Sequence, residues 1–295
     1  MNVKKDIIMD KILLAGATGY LGKYILRELI LRGYNTKAIV RNSKSFDSDL
    51  MDNELLKVIN AQVTKIDSLN GCCENVDTII STVGITKQKD GLTYMDVDYQ
   101  ANMNLLEEAK KNGVKKFIYI SVFIGEKLKH LKICEAKEKF VEALKQSGLE
   151  YCIIHPNGFF SDMTEFYNMA KKGRIYLFGD GNLKANPIHG EDLAKVVVDS
   201  IEKSVDEIKV GGPEILTQNQ IADISFQAAG KKKKVSHISD WIRVFVLKLI
   251  RMFTGSKTYG PIEFFLTVMA MDMIAPEYGS HTLKQYFNGL NNNNK

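Results

Sequence analysis

The chain has 295 residues, 45% hydrophobic and 25% charged, which is enough to bury the core of one large domain or two closely joined ones. Its net charge of +5 is too mild for the basic face of a nucleic-acid binder, so we expect no nucleic-acid partner. The four cysteines have no metal-ligand spacing, and two are adjacent, Cys72 and Cys73, so we expect reduced thiols and no metal site.

Targeting signals are the next class that the sequence bears on. The first ten residues mix Lys4, Lys5, Asp6 and Asp10 with single hydrophobic residues and lack the apolar core of a signal peptide. No stretch reaches the roughly eighteen uncharged apolar residues that a membrane-spanning helix needs. These features predict a soluble cytoplasmic protein.

Short apolar runs alternate with helical patterns over the first two thirds of the chain, which is typical of repeated βα units. In chain order, the predicted elements are strand 11–15, helix 20–32, strand 36–40, a weaker strand 63–66, strand 77–81, helix 94–112, strand 117–121, helix 131–146 and strand 151–154. The strands are apolar on both faces, as buried parallel strands are. We therefore predict an α/β fold with a doubly wound parallel sheet.

The pattern changes after Pro156, where predicted helices at 162–172 and 191–202 are separated by glycine-rich turns. We predict a dinucleotide-binding domain over residues 11–156 and a smaller substrate-covering region over 157–290, interleaved with it. The asparagine-rich residues 291–295 are predicted to be a disordered tail.

A glycine-rich turn lies directly between the first strand and the first helix. It reads Gly16-Ala-Thr-Gly-Tyr-Leu-Gly22, and its candidate cofactor residues are Gly16, Thr18, Gly19, Tyr20, Leu21 and Gly22. Such glycines allow a tight turn, close approach of backbone N–H groups to a pyrophosphate, and close packing of helix on strand. The positive end of the helix then faces the phosphates. The turn predicts a dinucleotide site.

The end of the second strand distinguishes NADP(H) from NAD(H). An NAD-binding protein normally places an acid there for the ribose 2′-hydroxyl. Here the strand ends at Arg41 and Ser43, and the next acid is Asp47. A guanidinium pairs well with a 2′-phosphate, which a carboxylate would repel. We therefore expect NADP(H).

These motifs resemble the short-chain dehydrogenase/reductase superfamily, in its atypical, extended-like, NmrA-like branch. The resemblance continues through Ser81-Thr-Val-Gly84 and Val97-Asp-Tyr99, and through residues 117–121 and 147–160. Residues 177–181 and 186–194 look like the members related to divinyl chlorophyllide reductases. It implies a Rossmann fold, with Thr82 and Gly84 beside the cofactor and Asp67 on its adenine side.

The resemblance also implies a catalytic set, from which this sequence departs. Members that act on alcohols or carbonyls use a tyrosine as proton donor and a lysine four residues later; Lys137 matches the lysine, but Ile133 stands at the tyrosine position. Asp98 stands where many relatives carry asparagine, and the usual serine position falls on Val122, next to Ser121. The candidate catalytic residues are therefore Lys137, Asp98 and Ser121, with Lys137 also placed to bind the nicotinamide ribose.

Other side chains could replace the missing tyrosine as proton donor, because they lie just after strands or at the starts of helices near the expected site. The candidates besides Asp98 are Tyr94, Glu135, His155 and His189. For both histidines, a hydrogen-bonded structural role is the alternative.

Two apolar stretches near the C-terminus indicate either a hydrophobic ligand or a lipid surface. Residues 241–253 form an amphipathic pattern with Arg243, Lys248 and Arg251 on one side. This pattern fits a helix that caps the substrate pocket, and it also fits a helix that lies on a membrane. Residues 262–274, rich in methionine and aromatics, suit a hydrophobic ligand.

The function that these features favour is an NADPH-dependent oxidoreductase acting on a small hydrophobic substrate. A non-catalytic NADP(H)-binding redox sensor or docking subunit is the alternative, because Ile133 cannot transfer a proton. A nucleotide-sugar epimerase is disfavoured, since it would need the missing tyrosine and would prefer NAD. Peripheral membrane contact is open, and the sequence leaves the oligomeric state undetermined.

Overall fold

The computed structural model describes residues 10–41, 50–88 and 91–292. A seven-stranded, wholly parallel sheet forms its centre, in the order β3-β2-β1-β4-β5-β6-β9. Its strands are β1 (Lys11–Ala15), β2 (Asn35–Val40), β3 (Leu56–Asn60), β4 (Thr78–Ser81), β5 (Lys116–Ile120), β6 (Glu150–Pro156) and β9 (Glu207–Val210). The strand order runs outward from β1 in both directions, which confirms the predicted doubly wound sheet.

Helices cover both faces of this sheet. They are α1 (Tyr20–Leu31), α2 (Ala101–Lys111), α3 (Lys132–Lys145) and α5 (Gly190–Asp199). Ile12 and Leu14 of β1 share a buried cluster with α1 and α5, whereas Leu13 and Ala15 pack with α2 and α3 on the other face. Because neighbouring residues of a strand point to opposite faces, one apolar strand serves both cores.

A third, smaller core lies in the second half of the chain. It contains α4 (Phe160–Lys171), α6 (Gln218–Ala229) and α9 (Leu283–Asn292), with buried aromatics that include Phe166, Phe226 and Phe287. Two short sheets border it: β7 (Ile175–Phe178) with β11 (Val235–Ile238), and β8 (Lys184–Ala185) with β10 (Leu216–Thr217). Because β9 lies in the central sheet, the chain after Pro156 returns to the dinucleotide-binding part before it completes this third core.

A buried asparagine, Asn186, links these later segments through hydrogen bonds. The Asn186 side chain accepts hydrogen bonds from Asn157 Nδ2 and from the Ala275 backbone N–H, and it donates to the carbonyls of Gly212 and Ala275. Asn186 is fully buried, so each of these bonds is made away from water.

Two further helices form a hairpin outside the third core. They are α7 (Asp240–Phe253) and α8 (Ser256–Val268), which pack against each other. Phe264 and Val268 of α8 reach the cluster that contains Ile133 of α3. None of the α7 residues is buried. Therefore α8, rather than the helix at 241–253, covers α3.

The predicted third strand at 63–66 is wrong. The strand that pairs with β2 is β3 at Leu56–Asn60, and Ile66 begins a single 3₁₀ turn, Ile66–Leu69. Ser68 Oγ closes the intervening loop by binding the N–H and the carbonyl of Gln62. Since β3 lies at the sheet edge and is only partly buried, its sequence lacks the apolar run of the central strands.

The predicted disordered tail begins too early. Asn291 lies in α9, where its side chain accepts from the Tyr167 hydroxyl at 2.8 Å and donates to the Ala228 carbonyl at 2.5 Å. Packing against α4 and α6 thus extends the helix into the asparagine run, and residues 293–295 lie outside the described residues.

Candidate dinucleotide site

The turn between β1 and α1 is tight, and Gly16 and Gly22 lie too close to neighbouring atoms to carry a side chain. A Cβ atom on Gly22 would lie 2.0 Å from the Gly16 carbonyl oxygen, and one on Gly16, whose φ is +88°, would lie 2.3 Å from Thr82 Oγ1. The Gly19 N–H donates to the Gly16 carbonyl at 2.9 Å. A larger residue at Gly22 would have to move backbone, and one at Gly16 would meet the Thr82 side chain and be strained by the positive φ.

The first turn of α1 is open to an anion. Within the described residues no side chain caps this helix, and its first residues, Tyr20-Leu-Gly-Lys23, contain no acid. The orphan N–H groups at such a helix end bind phosphate, and the helix dipole favours negative charge there. The half-buried Thr18 belongs to this turn, while the buried Leu21 packs into the α1–α5 core. The Tyr20 hydroxyl instead accepts a hydrogen bond from the Gly190 N–H at 3.2 Å.

Arg41 follows β2 directly and its side chain is exposed. The amide of Asn60, at the corresponding position of β3, reaches the carbonyls of Val40 and Arg41. This contact fixes the backbone that carries the guanidinium. Ser43 lies outside the described residues, and Asp67 is exposed in the Ile66–Leu69 turn.

Lys137 and Asp98 form a buried ion pair beside Gly84, shortly after the end of β4. Lys137 Nζ lies 3.0 Å from Asp98 Oδ1, and Asp98 is fully buried. Asp98 lies in a π-helical turn, Met95–Gln100, which interrupts the predicted helix 94–112 just before α2. Its second oxygen accepts from the Ile85 N–H at 3.2 Å. Gly84 makes room for the pair, because a Cβ there would lie 2.6 Å from Asp98 Oδ1 and 2.9 Å from Lys137 Nζ.

Burial and the interaction between the two groups both shift the pKa values of Asp98 and Lys137. Burial raises the pKa of Asp98, and Lys137 opposes that rise. Burial would lower the pKa of Lys137, but the Tyr119 hydroxyl and the Asp98 carboxylate raise it above its ordinary value. These contacts therefore favour the charged, ammonium form of Lys137.

These residues fit a nicotinamide dinucleotide. The glycine cradle and the open start of α1 suit a pyrophosphate, Thr82 lies against Gly16, and the Lys137 ammonium lies beside Gly84. A model of the family described as NAD(P)H-binding matches residues 16–204, more than half of the chain.

The chain belongs to this NAD(P)H-binding family.

Similar proteins agree with this placement. The chain is 28% identical to divinyl chlorophyllide a 8-vinyl-reductase, chloroplastic, of Arabidopsis thaliana, over 96% of this chain and 76% of that protein. It is 27% identical to photosystem II assembly factor Ycf39 of Guillardia theta, over 82% of this chain and 77% of that protein. Together with the family match, they confirm the predicted resemblance to atypical short-chain dehydrogenases and divinyl reductases.

Solved structures share the fold. An isoflavone reductase superimposes with a TM-score of 0.73 at 19% identity, covering 96% of this chain and 99% of that one. The Escherichia coli NADPH-dependent quinone oxidoreductase QOR2, complexed with NADPH, gives a TM-score of 0.69 at 18% identity, covering 95% and 99%. The chain thus has an NAD(P)-binding, reductase-like fold.

The position of the family tyrosine is apolar in this NAD(P)H-binding protein. Ile133 lies one helical turn before Lys137 and is 5% exposed. Its neighbours in one cluster are Leu131, Cys134, and Phe264 and Val268 of α8. Helix α8 therefore packs over the position predicted for the family tyrosine.

The remaining candidate residues contact other groups. Ser121, a predicted catalytic residue, is buried and its Oγ lies 3.4 Å from Glu138 Oε1. The Tyr94 hydroxyl donates to the Thr86 carbonyl at 2.8 Å, and burial raises its pKa to about 12. Glu135 is exposed and pairs with Lys132.

Both histidines also have structural partners. His155 Nδ1 lies 3.2 Å from the Val122 carbonyl and Nε2 lies 3.3 Å from Glu207, while burial lowers its pKa. His189 caps α5 by accepting from the Glu191 N–H, and its ring stacks on His281 at 4.3 Å. His189, Glu191 and His281 are close enough to be considered as metal ligands, but Glu191 already pairs with Lys195 at 3.2 Å.

Two positioning residues were absent from the sequence prediction. The buried Tyr119 places its hydroxyl 3.5 Å from Lys137 Nζ, and burial raises its pKa to about 12. Asn102 donates to the Asp98 and Val83 carbonyls and accepts from Ser81 Oγ at 2.6 Å, which ties the π-helical turn to β4. Only their spatial proximity marks them, because strand β5 reads as an ordinary apolar run and α2 as an ordinary helix.

Proposed function

We propose that this protein is an NADPH-dependent reductase of a small hydrophobic molecule. The observation that carries the proposal is the pairing of an uncapped, glycine-lined start of α1 with Arg41 at the end of β2. When bound, NADPH would supply a hydride. Gly16, Gly19 and Gly22 would hold its pyrophosphate, Arg41 its 2′-phosphate, and Lys137 its nicotinamide ribose.

The missing tyrosine favours a carbon–carbon double bond over a carbonyl as the group reduced. Carbonyl reduction places negative charge on oxygen, which an acid must neutralise, and the family position for that acid is Ile133. Hydride addition to a conjugated double bond leaves a carbanion that water can protonate. The 8-vinyl-reductase relatives, named for the reduction of a vinyl group, support this choice.

Calorimetric titration with NADPH, NADP⁺ and NADH tests the cofactor. Arg41→Ala is expected to weaken NADPH binding about 10- to 100-fold, the value of a charge-assisted contact, and to leave NADH binding unchanged. Lys57→Ala, which removes an exposed cation from β3, is the matched control and should change neither affinity. Equal affinity for NADH and NADPH in the wild-type protein would overturn the NADP(H) assignment.

A non-catalytic NADP(H)-binding role is the second candidate. It is favoured by the closed apolar surroundings of Ile133, and the Ycf39 relatives are named as assembly factors rather than enzymes. The two candidates differ in turnover: steady oxidation of NADPH with a panel of hydrophobic enones and vinyl-substituted ring compounds supports the reductase. Tight NADPH binding without oxidation by any of them supports the second role.

A further inference from the structure

Helix α7 presents an apolar strip that no described part of the chain covers. Trp241, Phe245 and Met252 are 67%, 53% and 67% exposed. At 100° per residue these three side chains lie within an arc of about 40°, so they form one line along the helix. None of the 14 residues of α7 is buried, although the helix packs on α8. An exposed line of this kind marks an interaction surface.

The charge around this line is strongly positive. The segment 231–257 contains eight of the 40 basic residues of the chain but one of its 35 acidic residues, Asp240. The rest of the chain is therefore slightly acidic, and the basic excess lies in the lysine run 231–234 before β11, on α7 and at Lys257 in α8.

Some of these basic side chains already form ion pairs within the protein, and only the others remain to bind an anionic partner. Arg243 pairs with Asp240 at 2.6 Å and Arg251 pairs with the buried Glu263. Lys248, which borders the apolar line, forms no ion pair with any residue in the described ranges. Three of the four lysines at 231–234 are likewise unpaired within those ranges, since Lys233 alone pairs, with Asp223.

We propose that the α7 face, defined by Trp241, Phe245, Lys248 and Met252, docks this protein on an anionic lipid bilayer. Aromatic and methionine side chains beside lysine are the composition of helices that lie in the headgroup region. Fourteen residues span about 21 Å, which is too short to cross the hydrocarbon core but suffices to lie on it. No helix among the described residues is long and apolar enough to cross a membrane.

A lipid surface fits better than an apolar protein groove because Lys248, which borders the line, has no ion-pair partner in the described ranges. An apolar groove would accept the aromatics but would leave Lys248 without a counter-charge, whereas phosphate headgroups supply one along the whole face. Each basic residue near an anionic surface contributes about 1 kcal/mol, or about fivefold in affinity.

The single tryptophan of the chain reports on this face directly. Trp241 is exposed, so vesicles of phosphatidylcholine with about one third phosphatidylglycerol should shift its emission to the blue, and brominated lipids should quench it. Pure phosphatidylcholine vesicles should bind much more weakly, and added salt should weaken binding to the anionic vesicles. An unchanged emission spectrum with anionic vesicles would overturn the proposal.

Matched variants distinguish binding through the α7 face from non-specific adsorption to vesicles. Phe245→Ala should lower the affinity for anionic vesicles about tenfold or more, and Lys248→Ala about fivefold. Leu31→Ala removes an exposed side chain from α1, and Lys57→Ala an exposed cation from β3; both should bind as the wild type does. Equal loss in all four variants would contradict the proposal, as would sedimentation showing a dimer that buries Trp241 without lipid.

Discussion

Lys137 Nζ and Asp98 Oδ1 lie 3.0 Å apart, and a carboxylate that is fully withdrawn from water thereby has a cation beside it. The Lys137 ammonium is held by an acid in a π-helical turn. Charge balance at this buried site depends on the lysine.

Lys137→Met is expected to destabilise the fold by about 3–5 kcal/mol at pH 8, because it leaves Asp98 buried and unpaired. The loss should be smaller at pH 5. Without Lys137 the folded-state pKa of Asp98 rises further above the unfolded value, so the folded state binds more protons and gains stability as pH falls. Urea unfolding at both pH values measures the effect.

The surface pair Lys132–Glu135 supplies the control for that prediction. Lys132→Met should change stability by less than about 1 kcal/mol at either pH, since both partners are half exposed. If Lys137→Met lost the same stability at pH 5 and at pH 8, the loss would not come from the unpaired Asp98 carboxylate.

Gly22→Ala should cost about 1–3 kcal/mol and weaken NADPH binding, because the new methyl group meets the Gly16 carbonyl oxygen at 2.0 Å. Gly289→Ala in α9 is a matched control: no atom lies within 4 Å of its Cβ position, and alanine is the better helix former by about 0.5–1 kcal/mol. Thermal unfolding should therefore move in opposite directions for the two variants. Equal destabilisation would argue against a close approach at Gly22.

Asp192→Asn should cost about 1.5–3 kcal/mol at pH 7, the value of hydrogen bonds to a charged acceptor. Asp192 is buried and accepts from the Ser280 and His281 N–H groups and from the His281 ring. Burial would raise its pKa, but these hydrogen bonds with His281 and Ser280 hold it below the ordinary value of 3.8.

The sign of the pH dependence follows from that lowered pKa. The contribution of Asp192 is fully present above its unfolded pKa and is lost as pH falls through the folded value. The stability difference between wild type and Asp192→Asn should therefore shrink as pH falls below about 4. Asp206→Asn, at an exposed acid, should show no difference at any pH. A difference that does not shrink below about pH 4 would contradict the assignment.

The elements that the sequence predicts well are those whose signal is local. Strand β1 and the turn from Gly16 to Gly22 combine a buried apolar run with glycines that backbone contacts demand, and both lie where the pattern places them. Lys137 beside Gly84 follows from the family resemblance.

The parts that escaped prediction depend on distant contacts. The edge strand β3 has half-exposed residues, and pairing with β2 rather than hydrophobicity makes it a strand. Tyr119, which the sequence analysis missed, lies 18 positions from its partner Lys137, and the predicted candidate Asp98 lies 39 positions from it, so no spacing rule shows that the three side chains meet. The helical state of Asn291 comes from Tyr167 and Ala228 in the third core.

The late arrival of β9 has a consequence for synthesis on the ribosome. Strand β6 pairs with β5 on one side, and its other side waits for Glu207–Val210, after residues 157–206 have been made. Until then a nascent chain exposes the backbone N–H and carbonyl groups of a buried-type strand, which is a template for pairing with other chains. The growing polypeptide is therefore exposed to aggregation between the completion of β6 and the emergence of β9, and a chaperone that holds it through this interval would protect it.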